Sequence, residues 1–231
     1  MRFDILTLFP EMVEGACSHS IIKRAVDSEI ISVNTINPRD YTLDKHKKVD
    51  DTPYGGGAGM VLMAQPYIDA FESVERTDNS ITIMMSPQGE PFNNQICREL
   101  ANYDQIIILC GHYEGFDERI REIIKPREIS IGDFVLTGGE LPALCVVDSV
   151  TRKLDGALGK IESMEEDSFE NGLLEYPHYT KPREYRGLEV PDVLLNGNHA
   201  LIEEYRKEEQ IKRTRIRRPD LYEKWLNSSN K

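Results

Sequence analysis

Three glycine-bearing segments follow short runs with strand character. They are Ser86-Pro87-Gln88-Gly89 after 81–85, Gly111-His112-Tyr113-Glu114-Gly115 after 105–110, and Ile131-Gly132-Asp133-Phe134-Val135-Leu136-Thr137-Gly138-Gly139-Glu140 after 128–130. At the carboxyl ends of parallel strands such segments border the ligand crevice. Glycine there lets backbone N–H and C=O groups approach a ligand with no side chain between. One such turn does no more than satisfy strand-to-helix geometry. Three together point to a nucleotide-like ligand.

Tyr54-Gly55-Gly56-Gly57-Ala58-Gly59 has the look of a phosphate loop but lacks the Gly-Lys-Ser/Thr ending, and it fails the GxGxxG spacing of a dinucleotide fold. It reads as a flexible loop over a site or, failing that, a mobile surface loop. Cys17, Cys97, Cys110 and Cys145 form no CxxC pair and have no histidine at metal spacing, which leaves them as small apolar core residues. Arg152 follows an apolar helix and by default is a helix-end cation. Asp167 is one of several carboxylates in an acidic loop, and His178 and His199 read as polar surface residues.

The net charge of −12 argues against a nucleic-acid partner until its distribution is considered. Residues 206–218 carry seven Lys and Arg against two Glu, so this tract is +5 and the remainder is −17. Five of the cations, including Arg215, Arg217 and Arg218, fall within 212–218, a density suited to phosphate contact.

The elements that would position these residues alternate along the chain. Strands are expected at 1–8, 30–36, 81–85, 105–110 and 128–131, with helices at 11–28, 66–74, 93–103, 116–124 and 141–150. Near-continuous apolar strands alternating with helices predict an α/β domain with a mostly parallel sheet. The composition then turns acidic over 160–172, which reads as a linker or mobile loop. Helical patterns follow at 191–195, 198–213 and 219–226, giving a small second unit. The 231 residues allow one large domain or one with an appendage. The longest apolar run, Ile106-Ile107-Ile108-Leu109-Cys110, is far short of the ~20 residues that span a bilayer. The first nine residues lack the pattern of a secretory signal, so a soluble, cytoplasmic protein without membrane contact is expected.

Several long stretches resemble the bacterial tRNA (guanine-N1)-methyltransferases, the TrmD family of the SPOUT class. They are Leu8-Phe9-Pro10-Glu11-Met12, 50–60 (DDTPYGGGAGM), 110–119 (CGHYEGFDER), 130–140 (SIGDFVLTGGE), Glu166-Asp167-Ser168-Phe169, 176–180 (YPHYT) and 195–200 (LNGNHA). The match runs end to end, with Phe134 standing where tyrosine is common.

The resemblance implies a SPOUT fold with a deep trefoil knot, which topology rules alone would have steered away from, and a small all-helical C-terminal domain. It implies a homodimer with its active site at the subunit interface, and methyl transfer from S-adenosylmethionine to N1 of guanosine 37 of tRNA. Residues 1–160 would bind the cofactor, 161–172 would form a flexible acidic linker, and 173–231 would bind tRNA. Cofactor contacts would come from Pro87, Gly111, Tyr113, Glu114, Ser130, Ile131, Gly132, Asp133, Phe134, Val135, Leu136, Gly138 and Gly139. Gly57, Gly59, His178, Arg215, Arg217 and Arg218 would contact the substrate. Asp167 would be the general base and Arg152 would stabilise charge on O6. Mg²⁺ enters as a further cofactor of the family, with Glu114 facing either it or the sulfonium. Two rivals stand beside this reading. A non-catalytic RNA-binding protein leaves the three turns unexplained, and a dehydrogenase-like nucleotide enzyme leaves the basic tract unexplained.

Overall fold

The computed structural model describes residues 1–158 and 167–229, and the chain divides into two compact units, Met1–Gly159 and Lys160–Lys231. The first unit is built on a parallel sheet of β1 (Arg2–Leu6), β2 (Ser32–Ile36), β5 (Ser80–Pro91), β6 (Gln105–Leu109) and β7 (Arg127–Ser130), in the spatial order β2-β1-β6-β5-β7. A small antiparallel pair, β3 (Asp50–Asp51) and β4 (Val61–Leu62), stands apart from it. The helices are α1 (Pro10–Cys17), α2 (Ser20–Asp27), α3 (Ala64–Glu72), α4 (Asn94–Leu100), α5 (Glu118–Ile124) and α6 (Glu140–Thr151).

β6 shows why the sheet is central. Its residues from Gln105 to Leu109 are all fully buried, because alternate side chains feed two cores. Ile106 and Ile108 join Phe3, Ile5 and Ile83 beneath α1, α2, α4 and α6. Ile107 and Leu109 join Leu6 and Met84 beneath α3 and α5, where Tyr67 and Phe116 meet edge to face. Helices on both faces bury both sides of each inner strand, so an uninterrupted apolar run is stable there. The chain order around β5 also matters. β6 lies on one side of β5 and β7 on the other, so the connection from β6 crosses over it. Such a switch opens a crevice at the strands' carboxyl ends.

Several expectations need correction. Ser86–Gly89 is no strand-ending turn but a bulge within β5, since both Met85 and Glu90 are aligned with Ile129. A Cβ on Gly89 would run into the β7 backbone at Glu128 and Ile129, so glycine is needed for this approach. The single helix expected over 11–28 breaks at Ser18–His19, where the Ser18 hydroxyl donates to Gly15 O at 2.7 Å. Cys97 and Cys110 are core residues as expected, but Cys145 is exposed on the outer side of α6.

The second unit contains α7 (His199–Arg217) and α8 (Pro219–Ser229). It is not helical throughout. β8 (Glu184–Tyr185) and β9 (Leu188–Glu189) form a hairpin whose two linking residues, Arg186 and Gly187, both have positive φ (52° and 78°). Two consecutive left-handed residues suit the twist of a tight hairpin. The helix expected at 191–195 is a single 3₁₀ turn, Asp192–Leu194. Of the expected linker, 161–166 lies outside the described residues. Asp167 begins a turn in which Leu173 O accepts from Phe169 N at 2.8 Å and Ser168 Oγ accepts from Glu175 N at 3.0 Å.

Candidate cofactor cleft

The bulge of β5 and the carboxyl ends of β6 and β7 open into a cleft of about 300 Å³, within the range of small-molecule pockets. Its walls are the three segments singled out in the sequence. Pro87, Gly111, Tyr113, Glu114, Ser130, Ile131, Gly132, Phe134, Val135, Leu136, Gly138 and Gly139 all line it. Asp133 does not. The Phe134 N–H donates to Gly132 O at 2.9 Å, and this tight turn leaves Asp133 at its exposed apex.

The third segment is laid against the second. Gly139 N donates to Gly111 O at 2.8 Å, and Gly138 forms an isolated antiparallel bridge with His112. Gly139 has an ordinary helical φ of −82°, so its need for glycine is purely one of space. A Cβ there would lie 2.7 Å from Cys110 Cα and 2.9 Å from Gly111 N, and backbone atoms cannot move aside.

Beneath this crossing sits Glu140, 1% exposed, with one oxygen accepting the Thr7 hydroxyl at 2.6 Å and the other 2.7 Å from His112 Nε2. His112 lines the cleft and packs its ring on Phe9, with centroids 4.7 Å apart. In the sequence His112 stands out only as part of the second segment, with no role of its own. The signal that could have found it is a second-segment histidine together with the acid that ends the third segment. Arg121 also lines the cleft unforeseen; it pairs with Glu118 at 3.0 Å and Glu128 at 3.2 Å.

The glycine loop reaches the same rim. Glu114 N donates to Met60 O at 3.0 Å and Leu62 N donates to Gly115 O at 2.9 Å. This pairing sets Gly59 (φ 87°) against the Glu114 side chain, which occupies the space a Cβ would need. Gly57, nearer the loop's tip, is open to solvent with only Pro53 nearby. Among the described residues no three His, Cys, Asp or Glu side chains converge as a metal site, so the donor set lends Mg²⁺ no support.

Arg152 caps the end of α6, its N–H donating to Asp148 O at 3.1 Å, and belongs to the first unit. Asp167 belongs to the second, half-buried at the head of its turn. His178 is exposed there, with Nε2 2.7 Å from Glu175 Oε1 and its ring against Tyr176. The basic tract lies along α7 and is less uniform than its sequence suggests. Lys212 pairs with Glu209 at 2.7 Å, and Arg206 stacks its guanidinium over Tyr176 at 4.6 Å. Arg218 grips Asp220 through two hydrogen bonds, of 2.9 and 2.7 Å. That grip lowers the Asp220 pKa to about 2. Arg215 and Arg217 are exposed and form no ion pair among the described residues, but two residues apart on a helix they face different directions.

No helix among the described residues is long and apolar enough to cross a membrane. The chain matches the family model described as tRNA (Guanine-1)-methyltransferase TrmD over residues 1–224. It is 54% identical to the tRNA (guanine-N(1)-)-methyltransferase of Staphylococcus haemolyticus over 97% of this chain and 92% of that one. The protein of the same name from Desulforamulus reducens is 55% identical, over 96% and 88%. A family match over residues 1–224 and identity at this level over nearly the whole chain leave one conclusion: the chain belongs to the TrmD family of tRNA (guanine-N1)-methyltransferases.

Proposed function

We propose that this tRNA (guanine-N1)-methyltransferase takes its methyl group from S-adenosylmethionine and delivers it to N1 of guanosine 37, beside the anticodon. The observation that carries the reading is the cleft between the β5 bulge and the ends of β6 and β7, where Gly111, Gly115, Gly132 and Gly138 let a ligand approach the backbone closely. The donor supplies an electrophilic sulfonium methyl, so the protein's task is alignment and activation of the acceptor. Gly111 and the Ile131–Leu136 stretch hold the adenosine part through backbone groups, and Gly138 and Gly139 close the cleft behind it. Phe134 keeps a ring at the rim without a hydroxyl. Glu114 offers a carboxylate to the positive charge of the donor.

Guanine N1 carries a proton at neutral pH and must lose it, which requires a base. Asp167 accepts that proton. Negative charge then develops on O6, and the Arg152 guanidinium stabilises it. Gly57 and Gly59 give the guanosine a close approach from the glycine loop, while His178, Arg215 and Arg217 meet backbone phosphates, with Arg218 joining once it leaves Asp220. The crossing of Gly138–Gly139 over Gly111–His112 is taken as the closure of a trefoil knot. Exposed Phe9, Met12, Val135 and Leu141 support a homodimer with the site at the subunit interface. A cytoplasmic location follows from the substrate. The test is incubation with methyl-labelled donor and unmodified tRNA, followed by nucleoside analysis. Label in 1-methylguanosine supports the reading, and label in any other nucleoside, or none, refutes it.

A further inference from the structure

We propose that the segment from Leu43 to Tyr54 is a platform for single-stranded RNA: Lys45, Lys47 and Lys48 take its phosphates and the Tyr54 ring stacks on an unpaired base. This rests on the reading of the substrate as tRNA. The first unit holds 15 Lys and Arg against 25 Asp and Glu, yet it presents Lys45-His46-Lys47-Lys48 in immediate succession, all four exposed. Among the described residues Lys45 and Lys48 form no ion pair, and Lys47 has only Asp40 at 3.9 Å.

A charged loop is by default merely solvated, but this one is held in shape. Asp44 Oδ1 accepts from His46 N at 2.8 Å and Lys48 N at 3.3 Å, and these bonds keep its carboxyl pKa below the ordinary value. The Thr42 hydroxyl donates to Lys48 O at 2.7 Å, and Arg39 Nη1 donates to Lys47 O at 3.2 Å. Lys47 sits in the left-handed region at φ 59°, a conformation that only such surroundings would hold. The backbone is thus held at His46, Lys47 and Lys48, while the exposed ammonium groups are left for a partner.

The other half of the argument is apolar. Tyr54 is fully exposed and Leu43 nearly so, and neither side chain joins a core. Tyr54 follows Lys48 by six residues, at most roughly 20 Å of extended chain, so both lie within reach of one RNA loop. Cations beside a free aromatic ring match a strand with unpaired bases. A duplex covers its base faces by stacking and offers the ring nothing. The position also fits, because Asp50 and Asp51 within the segment pair with Val61 and Leu62 of β4, and Leu62, with Met60 before it, bonds to the Glu114–Asp117 stretch beside the cleft.

The test uses the full chain, an unmodified tRNA transcript and binding measured across a range of salt. Replacing Lys45 and Lys48 together by alanine removes two phosphate contacts and lowers the salt slope by about 1.4, at about 0.7 per contact for a single strand. Tyr54→Ala weakens binding on the order of tenfold, whereas Tyr54→Phe, which keeps the ring, binds within about twofold of the parent. All these side chains are exposed, so melting temperatures should not move. Should the alanine pair fail to fold, the glutamine pair carries the same test. An unchanged slope, or equal losses in Tyr54→Ala and Tyr54→Phe, overturns the platform while methyl transfer by the parent leaves the functional reading standing. A parent that methylates no tRNA overturns both.

Discussion

Glu140 stands 2.7 Å from His112 across the join between the second and third cleft segments, and both side chains are largely withdrawn from water, at 1% and 14% exposure. The glutamate's second oxygen holds Thr7, so one buried carboxylate fastens the ends of β1 and β6 to the start of α6. A buried polar group costs little only while it is bonded. Glu140→Ala strands Thr7 and His112 together and should lower stability by about 2–3 kcal/mol. Glu140→Gln keeps the acceptor for Thr7 and should lose less. Urea denaturation midpoints check the order, and equal stabilities of parent and Glu140→Ala would contradict it.

Gly139 and Gly56 separate crowding from backbone strain. Gly139→Ala must push the α6 start away from Cys110 and Gly111, and the cleft should lose its donor affinity by more than about tenfold in calorimetry. Gly56 has φ 81° and nothing within 4 Å of the place a methyl would take, so Gly56→Ala strains only its own loop and should bind the donor like the parent.

How much of this was legible in the sequence depended on how local each cause is. β6 was legible because burial on both faces writes five apolar residues in a row. The bulge at Ser86–Gly89 was not, since Ser-Pro-Gln-Gly reads as a turn and its pairing partner, Ile129, is supplied about forty residues later. Glu140 stood only as the acid that ends the third segment; the hydroxyl that satisfies it in the interior comes from Thr7, 133 positions away. The Arg186–Gly187 hairpin was missed because arginine is a poor sign of left-handed backbone. The three cleft segments were visible as glycine patterns, whereas the roles proposed for Asp167 and Arg152 came only from family resemblance.

Asp220 holds Arg218 and so withholds one cation of the basic tract from phosphate. Asp220→Asn should tighten tRNA binding several-fold at low salt, with the gain fading as salt screens it. The pH dependence follows from the sign of the shift. The carboxyl pKa is depressed to about 2, below its ordinary 3.8, so the pair is complete above the ordinary value and is lost only as pH falls towards 2. The effect of the substitution should therefore be flat between about pH 7.5 and 9, above the ordinary histidine titration. A gain that varied steeply with pH in that window would implicate another group.

The tract itself should behave as separate contacts because Arg215 and Arg217 occupy different sides of α7. Replacing each by alanine should lower the salt slope of tRNA binding unequally, and the double substitution should give the sum of the two changes. Identical single effects with no further loss in the double variant would argue for one shared phosphate.

The most direct measurement is single-turnover methyl transfer to two transcripts that differ only in guanosine or adenosine at position 37, with the parent and with Asp167→Asn. The parent should label N1 of guanosine 37 and leave the adenosine transcript unlabelled. Asparagine cannot accept the N1 proton, so Asp167→Asn should slow the step by about 10²–10⁴-fold with donor and tRNA binding little changed. Label on both transcripts, or an Asp167→Asn rate within a few-fold of the parent, would contradict methyl transfer to guanosine N1 with Asp167 as the base.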